Sequence, residues 1–430
     1  MKKILFILLV GLLTLVSCSK DDEPEFPGEV VKDLSDSTLV QGRVSDGVLT
    51  YRLVSAGEAH IIGCGSDVES VEIPNKIKLK KTIYTVTSID EGAFTGCKKL
   101  KNITIPNTIT TVGYAAFDEC SDLTSVIIGD SVKTIREMAF WECERLYYVS
   151  IGKSVTSIGS MAFITCPVKK LDWNARHCES LGDINTRILE VINIGEGVEY
   201  LPHGFAYEAK IKELTIPNSV TTISSFAFYD CAKLKDLNMG NGVTYIGQNA
   251  FHGCTSLVTV ELPNSIKTIE NDAFAACSNL NRINIPDGIT EIAAGVFEFC
   301  DKLESVNIPN AVTKIGTYAF WNCKSLTDIK LGSGVTEIGK WSFSACSSLT
   351  KIEIPSQVTT IDLFAFYQCK NLASVTCLGV EPPIIKQNPN AYDLTFSEIS
   401  PDAVLYVPTS SIDKYKASHW HDFFSNIVGF

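Results

Sequence analysis

The sequence predicts a solenoid, a β-rich, right-handed coil of about 12–13 short repeats with parallel strands, short helical or 3₁₀ turns and a β-rich cap at each end. Three observations predict it. Cysteine recurs at a constant interval over much of the chain, as at Cys231, Cys254 and Cys277, an alternating apolar pattern opens each unit, and Pro or Gly follows that pattern in nearly every unit. A repeat unit no longer than the stretch from one of these cysteines to the next cannot bury its own apolar face, so the neighbouring units must complete the core.

The first residues have the pattern of an export signal. Two lysines precede an apolar run from Ile4 to Val16, which is too short to span a bilayer as a helix. The following "LVSC" resembles the lipobox of bacterial lipoproteins, which predicts a signal peptide over residues 1–17 and lipidation of Cys18. An ordinary signal peptide with a chance cysteine is the alternative. Residues 18–28 are acidic and contain proline, and we expect them to form an extended tether.

The unit at 257–277 illustrates the repeat. Val260 and Leu262 alternate with Glu261, which predicts a short strand with one face inward, and Pro263 should end it. A second extended piece, such as 220–223, precedes a tight turn that carries Ala-Phe-x-x-Cys. The repeats are predicted over 68–377, between a cap at 29–67 and a cap at 378–430.

Two residues of this turn are predicted to form columns through the core. Burying a phenylalanine is worth about 1.5–3 kcal/mol, so the aromatic column should stabilise the fold strongly. Three successive units supply Phe228, Cys231, Phe251, Cys254, Phe274 and Cys277. The full phenylalanine column is Phe94, Phe117, Phe140, Phe163, Phe205, Phe228, Phe251, Phe274, Phe297, Phe320, Phe343 and Phe366.

One coil, at about 167–190, is irregular. Counting back one repeat interval from Cys231 places Glu208 at the cysteine position of the preceding unit. The stretch between Cys166 and Glu208 is then too short for two regular units, so one of the two must be shortened.

The consensus L-x-x-I-x-I-P-x-x-V-T-x-I-x-x-x-A-F-x-x-C is similar to the leucine-rich repeat of the BspA-like bacterial surface proteins, which has the same length. The stretches at 47–64 and 403–430 resemble the caps of that family, and "LDWNARHC" at 171–178 resembles one of its variant units. The resemblance implies a secreted or surface-displayed interaction module without catalytic residues or cofactors. Adhesion to host matrix proteins, other bacteria or glycans is known for some members.

The charge of the chain excludes some partners. The formal charge is −12, and loss of residues 1–17 with Lys2 and Lys3 makes it −14. Such a chain repels nucleic acid and anionic lipid unless it carries a basic cluster, and the sequence contains none.

The fifteen cysteines suggest disulfides or a metal site in an exported protein. Eleven of them share one repeat position, where a parallel stack points neighbouring side chains the same way, so we expect buried free thiols. A one-per-coil column does not converge as metal ligands do. His419 and His421 could share one side of a strand, but no third ligand is near in the sequence, so no metal is predicted.

Motifs for catalysis are missing from the sequence. It contains no G-x-S-x-G, and "GNG" at 240–242 and "GSG" at 332–334 lack the Lys-Ser/Thr of a phosphate loop. His177 precedes Cys178, but adjacent side chains usually point apart. We therefore predict that the protein is not an enzyme.

Two surfaces are candidates for binding. The residue after the repeat phenylalanine varies widely, and its large aromatics Trp141, Tyr229, Trp321 and Tyr367 should lie along one edge of the solenoid. The alternative is that these rings lean over neighbouring coils and shield the core. The outward positions of the first strand form a mostly polar face that includes the aromatic pair Tyr147 and Tyr148.

These features predict a lipoprotein anchored in the outer membrane and facing outward, which binds host or microbial surface proteins as an adhesin does. A glycan-binding lipoprotein of a polysaccharide-uptake system is the first alternative, since sugars stack on exposed aromatic rings. A structural envelope protein is the second.

Overall fold

The computed structural model describes residues 29–55, 57–386 and 394–430. The solenoid prediction is confirmed: the chain forms about 16 turns of parallel strands with little helix. The predicted signal peptide, Cys18 and the acidic tether lie outside the described residues.

The N-terminal part is a small mixed sheet that continues into the solenoid. Its strands are β1 (Val31–Asp33), β2 (Arg43–Ser45), β3 (Leu49–Ser55), β4 (Glu58–Cys64), β5 (Lys76–Leu79) and β6 (Thr82–Ile89). Strands β2, β3 and β4 pair antiparallel, whereas β4 lies parallel to β6. Apolar side chains of the β3–β4 hairpin, such as Tyr51 and Ile61, are fully buried, so the hairpin covers the end of the core.

Most coils contribute a first strand and a second strand of two residues. The first strands are β7 (Asn102–Ile105), β9 (Ser125–Ile128), β11 (Tyr148–Ile151), β13 (Lys170–Trp173), β14 (Val191–Ile194), β16 (Glu213–Ile216), β18 (Asp236–Met239), β20 (Thr259–Val260), β22 (Arg282–Ile283), β24 (Ser305–Asn307), β26 (Asp328–Lys330), β28 (Lys351–Ile354) and β30 (Ser374–Cys377). The second strands are β8 (Thr111–Val112), β10 (Thr134–Ile135), β12 (Ser157–Ile158), β15 (Tyr200–Leu201), β17 (Thr222–Ile223), β19 (Tyr245–Ile246), β21 (Thr268–Ile269), β23 (Glu291–Ile292), β25 (Lys314–Ile315), β27 (Glu337–Ile338), β29 (Thr360–Ile361) and β31 (Ile384–Ile385).

The first strands form parallel ladders, and so do the second strands. The first-strand ladder is interrupted between β14 and β16, between β18 and β20, and between β26 and β28. The second-strand ladder is interrupted at the irregular coil, between β12 and β15, and again between β21 and β23. Several strands are shorter than the alternating pattern predicts. Two residues beyond the end of β20, the carboxamide of Asn284 accepts from the N–H of Leu262 at 2.6 Å and donates to its C=O at 2.8 Å, in place of ladder bonds.

The turns that carry the repeat phenylalanine stack in the same parallel manner. The N–H of Phe228 donates to the carbonyl of Ala250 in the next coil, at 2.8 Å. The second residue before and the second residue after the phenylalanine have left-handed backbone angles, for example Phe226 at φ +58° and Asp230 at φ +51°. Left-handed residues interrupt helical geometry, and these connections are hydrogen-bonded turns rather than 3₁₀ helices.

The two predicted columns lie in the core. Neighbouring phenylalanine rings of regular coils stack with centroids 4.6–6.2 Å apart, and Phe228, Phe251 and Phe274 are fully buried. Each cysteine also has a polar role. The thiol of Cys254 donates to the carbonyl of Phe228 at 3.3 Å, and that of Cys277 to the carbonyl of Phe251 at 3.2 Å.

The expectation that Glu208 takes the cysteine position is wrong. Glu208 N–H donates to Tyr229 O in the next coil at 2.7 Å, and Asp230 N–H makes the equivalent bond to the coil that follows it. Glu208 therefore corresponds to Asp230, the residue before the repeat cysteine. Ala209, at 2% exposure, therefore stands in the cysteine column. Tyr148 pairs with Lys170 and Lys170 with Val191, so both steps through the irregular region are shorter than the regular step from Ser125 to Tyr148.

The same shift moves the aromatic column. Ala206 N–H donates to Ala227 O at 2.6 Å, and the Cys231 thiol donates to Ala206 O at 3.0 Å, so Ala206 has the backbone place of a repeat phenylalanine. Phe205 is fully buried, yet its ring meets Phe228 edge-on, at 86°, instead of stacking. It also packs edge-on against the buried Trp173, at 5.4 Å.

The C-terminal part extends the first-strand ladder from β30 through β32 (Val404–Val407) and β33 (Asn426–Gly429), with the helix α1 (Ile412–Lys416) between them. His419 and His421 lie in a 3₁₀ helix, His419–Asp422, not on a strand as expected. The Nδ1 atoms of both histidines lie 3.2 Å from carboxylate oxygens of Asp422. Trp420, between them, is buried and donates to Pro383 O at 2.9 Å.

Candidate binding surfaces

The cysteines of the described residues are fourteen free thiols. Burial raises the pKa of Cys277 and of Cys369 to about 12, so both thiols stay protonated at neutral pH. Within the described ranges, no three His, Cys, Asp or Glu side chains converge in a way that could hold a metal ion. The repeat cysteines are therefore core residues whose thiols act as weak hydrogen-bond donors.

The one His–Cys neighbour pair points in two directions. The ring of His177 stacks on Tyr200, with centroids 4.6 Å apart, while the Cys178 thiol donates to Ser180 O at 3.3 Å. Burial raises the pKa of Cys178. A buried thiol that faces away from the imidazole has no base to activate it.

The edge of aromatic residues after the repeat phenylalanine, which we term the ridge, is half-buried. Trp141, Tyr229, Trp321 and Tyr367 are each partly covered. Tyr229 stacks between Tyr207 and His252, at 5.0 and 4.8 Å with the planes within 8°. Its two faces are thus both occupied by neighbouring coils.

Sequence reasoning missed a second set of ridge aromatics, which occupies the second position before the repeat phenylalanine. Phe226, Tyr318, Trp341 and Phe364 stand there in left-handed conformation, at φ +58°, +59°, +58° and +61°. Trp341 stacks on Phe364 at 4.2 Å and meets Tyr367 edge-on at 5.7 Å. Their common register upstream of the column is a signal that the sequence does contain.

These contacts bear on the two interpretations of the ridge. Sugar stacking and cation–π contacts both need a free ring face. Rings that stack on the next coil offer mainly their edges to solvent. For Tyr229 and Trp341 the geometry therefore favours the interpretation in which the rings lean over neighbouring coils and shield the core.

The pair Tyr147 and Tyr148 lies where strand β11 begins. Tyr147 is 44% exposed. Tyr148 is half-buried and donates to Asp172 Oδ2 at 2.5 Å, and the ammonium of Lys170 lies 4.9 Å from its ring centroid. Burial and the bond to Asp172 raise the pKa of Tyr148. Only Tyr147 of this pair is free to contact a partner.

A groove that sequence reasoning did not find opens on the first-strand face. It has a volume of about 430 Å³ and lies where the ladder is interrupted between β18 and β20. The two coils remain joined elsewhere, since Tyr245 of β19 pairs with Thr268 of β21 and Phe251 N–H donates to Ala273 O at 2.8 Å. The gap is therefore confined to the first strands.

The floor of this groove is apolar and its walls are polar. Leu237 is partly exposed there, whereas its counterparts Leu214 and Val260 in the adjoining coils are 2% and 1% exposed. The lining residues are Glu213, Leu214, Thr215, Lys235, Asp236, Leu237, Asn238 and Thr259. None of the three charged residues is in an ion pair within the described part of the chain, so they are available to a partner.

The backbone at the groove is also available. No backbone hydrogen bond joins β18 to β20 among the described residues, although the equivalent strands β16 and β18 pair along their whole length. The facing edges of β18 and β20 thus present peptide N–H and C=O groups that have no strand partner among the described residues. Such edges can pair with an extended segment of another chain.

Comparison with known proteins agrees with this fold. The profile of the family described as "BspA type Leucine rich repeat region" matches in six copies, over residues 64–190, 200–327 and 290–380. No protein with a curated description matches significantly. Among the described residues, no helix combines the length and the apolar character that crossing a bilayer requires.

Solved structures of bacterial leucine-rich repeat proteins are similar to the chain. A leucine-rich repeat protein from Bacteroides ovatus is 25% identical, with 89% of this chain and 98% of that one covered and a TM-score of 0.60. A leucine-rich cell surface protein from Faecalibacterium prausnitzii is 24% identical, with 90% and 98% covered and a TM-score of 0.35. The pneumococcal vaccine antigen PcpA is 18% identical, with 91% and 100% covered and a TM-score of 0.36.

Proposed function

Because the chain belongs to the BspA-type leucine-rich repeat family, we propose that it is a non-catalytic binding protein, displayed on the cell surface, whose partner is a protein of a host or of another microbe. The groove between β18 and β20 is the observation that carries this proposal. It combines unpaired strand edges, a partly exposed Leu237 and unpaired charged side chains at one place.

The groove fits a protein partner better than a glycan. An extended peptide can satisfy both strand edges with its own backbone and place an apolar side chain on Leu237. A sugar would need an open ring face, and the rings at Tyr229 and Trp341 are stacked on their neighbours. Glycan binding is therefore an outcome of the test below rather than a second proposal.

The binding test compares two tryptophan substitutions at one repeat position. Asn238→Trp places a large side chain in the groove. Asn307→Trp places the same side chain at the equivalent exposed position of β24, where the ladder with β26 is intact. The chain without residues 1–17, carrying Cys18→Ser, is titrated against a panel of purified matrix proteins and against a glycan array.

We expect saturable binding to a panel protein that Asn238→Trp weakens at least about tenfold, or about 1.4 kcal/mol, and that Asn307→Trp leaves unchanged. Glycan binding without protein binding would refute the proposal. Equal losses for the two variants would place the contact outside the groove.

We further propose that residues 1–17 are a lipoprotein signal, that Cys18 carries the lipid anchor in the outer membrane and that residues 18–28 tether the folded part. The folded part is divided into an N-terminal cap at 29–67, the repeats at 68–377 and a C-terminal cap at 378–430. Cys18→Ser should release the protein from the membrane fraction, because the polypeptide would then lack the acyl chains that anchor it stably. Tight membrane association of this variant would contradict the anchor. Digestion of the wild-type protein by protease added to intact cells tests the outward orientation.

A further inference from the structure

Two thiols meet at the junction between the N-terminal hairpin and the first coil. Cys64 is the last residue of β4, and Cys97 is the first residue of the cysteine column. Both thiols approach the same carbonyl oxygen, that of Gly65, at 3.6 and 3.7 Å, so the two sulfur atoms lie close to one atom. Two cysteines that lie far apart in the sequence are thus brought together.

This pair differs from neighbours within the column. In the column each thiol donates to a backbone carbonyl of the preceding coil at 3.0–3.3 Å, as Cys166, Cys120 and Cys254 do, and parallel coils point the side chains the same way. Cys64 ends β4 and precedes Cys97 by more than one regular repeat, so it does not occupy the cysteine position of a regular coil. The bonds of both thiols to Gly65 O, at 3.6 and 3.7 Å, are longer than those of the column.

The pair also differs in accessibility. Cys64 is partly exposed, whereas Cys97 is 1% exposed and the column cysteines that follow it are buried. The contact between the two thiols lowers the pKa of Cys97 and, together with burial, raises that of Cys64. Thiol–disulfide exchange requires one thiol that an external disulfide can reach and a second thiol next to it. The partly exposed Cys64 and the buried Cys97 have this arrangement.

We propose that Cys64 and Cys97 form a disulfide that joins the N-terminal hairpin covalently to the first coil. The oxidant is an external disulfide, either a small molecule or a protein, such as an exported chain would meet. The Cys64 thiol loses its proton and attacks one sulfur of that disulfide, which releases one thiol and leaves a mixed disulfide. The Cys97 thiol then loses its proton, attacks the sulfur of Cys64 and releases the second thiol, so two protein thiols are oxidised as one external disulfide is reduced.

The consequence is a cross-linked end of the solenoid. A terminal repeat has a neighbour on one side only, so opening of the cap would expose the end of the core. The hairpin covers this end with Tyr51 and Ile61. A bridge between Cys64 and Cys97 would hold the hairpin against the first coil and so limit this opening. It would also close a loop in the unfolded chain, which lowers the entropy of the unfolded state and stabilises the fold.

The test uses the full folded chain incubated with oxidised glutathione. The protein is then unfolded in denaturant so that iodoacetamide reaches every remaining free thiol, and it is digested with trypsin without reduction. Cleavage after Arg52, Lys76, Lys81 and Lys98 separates the two cysteines into peptides 53–76 and 82–98. We expect these two peptides joined, with the loss of two hydrogen atoms, and two alkylated cysteines fewer than the fourteen of the described residues.

Three variants complete the design. Cys64→Ser and Cys97→Ser should each abolish the linked peptide, and Cys178→Ser, which removes a thiol outside the column, should leave it intact. Reduction should lower the Tm of the oxidised wild-type protein and leave that of Cys64→Ser unchanged. Alkylated peptides 53–76 and 82–98 without a cross-link, or a cross-link between Cys97 and Cys120 instead, would overturn the proposal.

Discussion

Truncation of one ring in the phenylalanine column tests how far a defect spreads along the solenoid. Phe274 is fully buried, and its ring lies 5.3 Å from that of Phe251 and 6.2 Å from that of Phe297. Phe274→Ala removes the buried ring and both stacking contacts, and a change of this kind costs about 3–5 kcal/mol. Because a coil contacts only its neighbours, the cost should appear as local opening of this coil and the two beside it.

Native-state hydrogen exchange measures that opening directly. A loss of about 3–5 kcal/mol corresponds to exchange about 100- to 4,000-fold faster at amides such as Phe251, which donates to Ala273 O, and Ala276, which donates to Glu298 O. The amide of Phe117, which donates to Ala139 O several coils away, should be unchanged. The exposed change Val258→Ala is the control. Equal acceleration at Phe117 and Phe251 would refute the nearest-neighbour account.

Three further predictions follow from backbone strain, close packing and a buried charge. Ala276→Gly should raise the Tm, with a gain in the free energy of unfolding of up to about 1 kcal/mol, because Ala276 has a left-handed backbone at φ +56°. Ala273→Gly, at a buried position without left-handed angles, should lower the Tm. Gly152→Ala should lower the free energy of unfolding by roughly 1–3 kcal/mol and so move the urea midpoint to a lower concentration, because a Cβ there would lie 2.3 Å from Gly129 O; an unchanged midpoint would contradict this packing. Burial raises the pKa of Asp272, so the stability that its protonated form contributes is lost as pH rises through the folded pKa. Asp272→Asn should therefore be more stable than wild type in thermal unfolding at pH 7, and the difference in stability should vanish near about pH 3. A difference that stays constant with pH would contradict the raised pKa.

The repeat architecture could be predicted from the sequence because each coil repeats the same packing problem. Phe251 and Phe274 fill the same place in successive coils, and Cys254 and Cys277 lie beside them with the same spacing. A side chain that must fit one fixed space in every coil is restricted in type, and this restriction is visible as periodicity.

The irregular coil could not be placed from spacing alone. The stretch around Phe205 and Glu208 can be aligned with the next coil in two ways that differ by a single position. The choice depends on the buried Trp173, whose ring packs against Phe205. That contact crosses coils and has no counterpart in the regular repeat.

The candidate site depended on features that a repeat pattern does not carry. The groove results from a ladder that is interrupted between β18 and β20 although Leu237 fits the consensus. The ridge rings Tyr229 and Trp341 have the residue types of a contact surface, but their orientation is set by left-handed turns and by stacking on adjacent coils. Composition at a position therefore did not reveal which ring faces are free.

The central claim, that a protein partner binds in the groove between β18 and β20, is tested most directly by hydrogen exchange of the chain with and without a panel protein that it binds. We predict that the partner slows exchange at amides of Asp236–Met239 and Thr259–Val260, the two unpaired strand edges. Protection confined to the ridge around Tyr229 and Trp341, or no saturable binding to any panel protein, would contradict the claim.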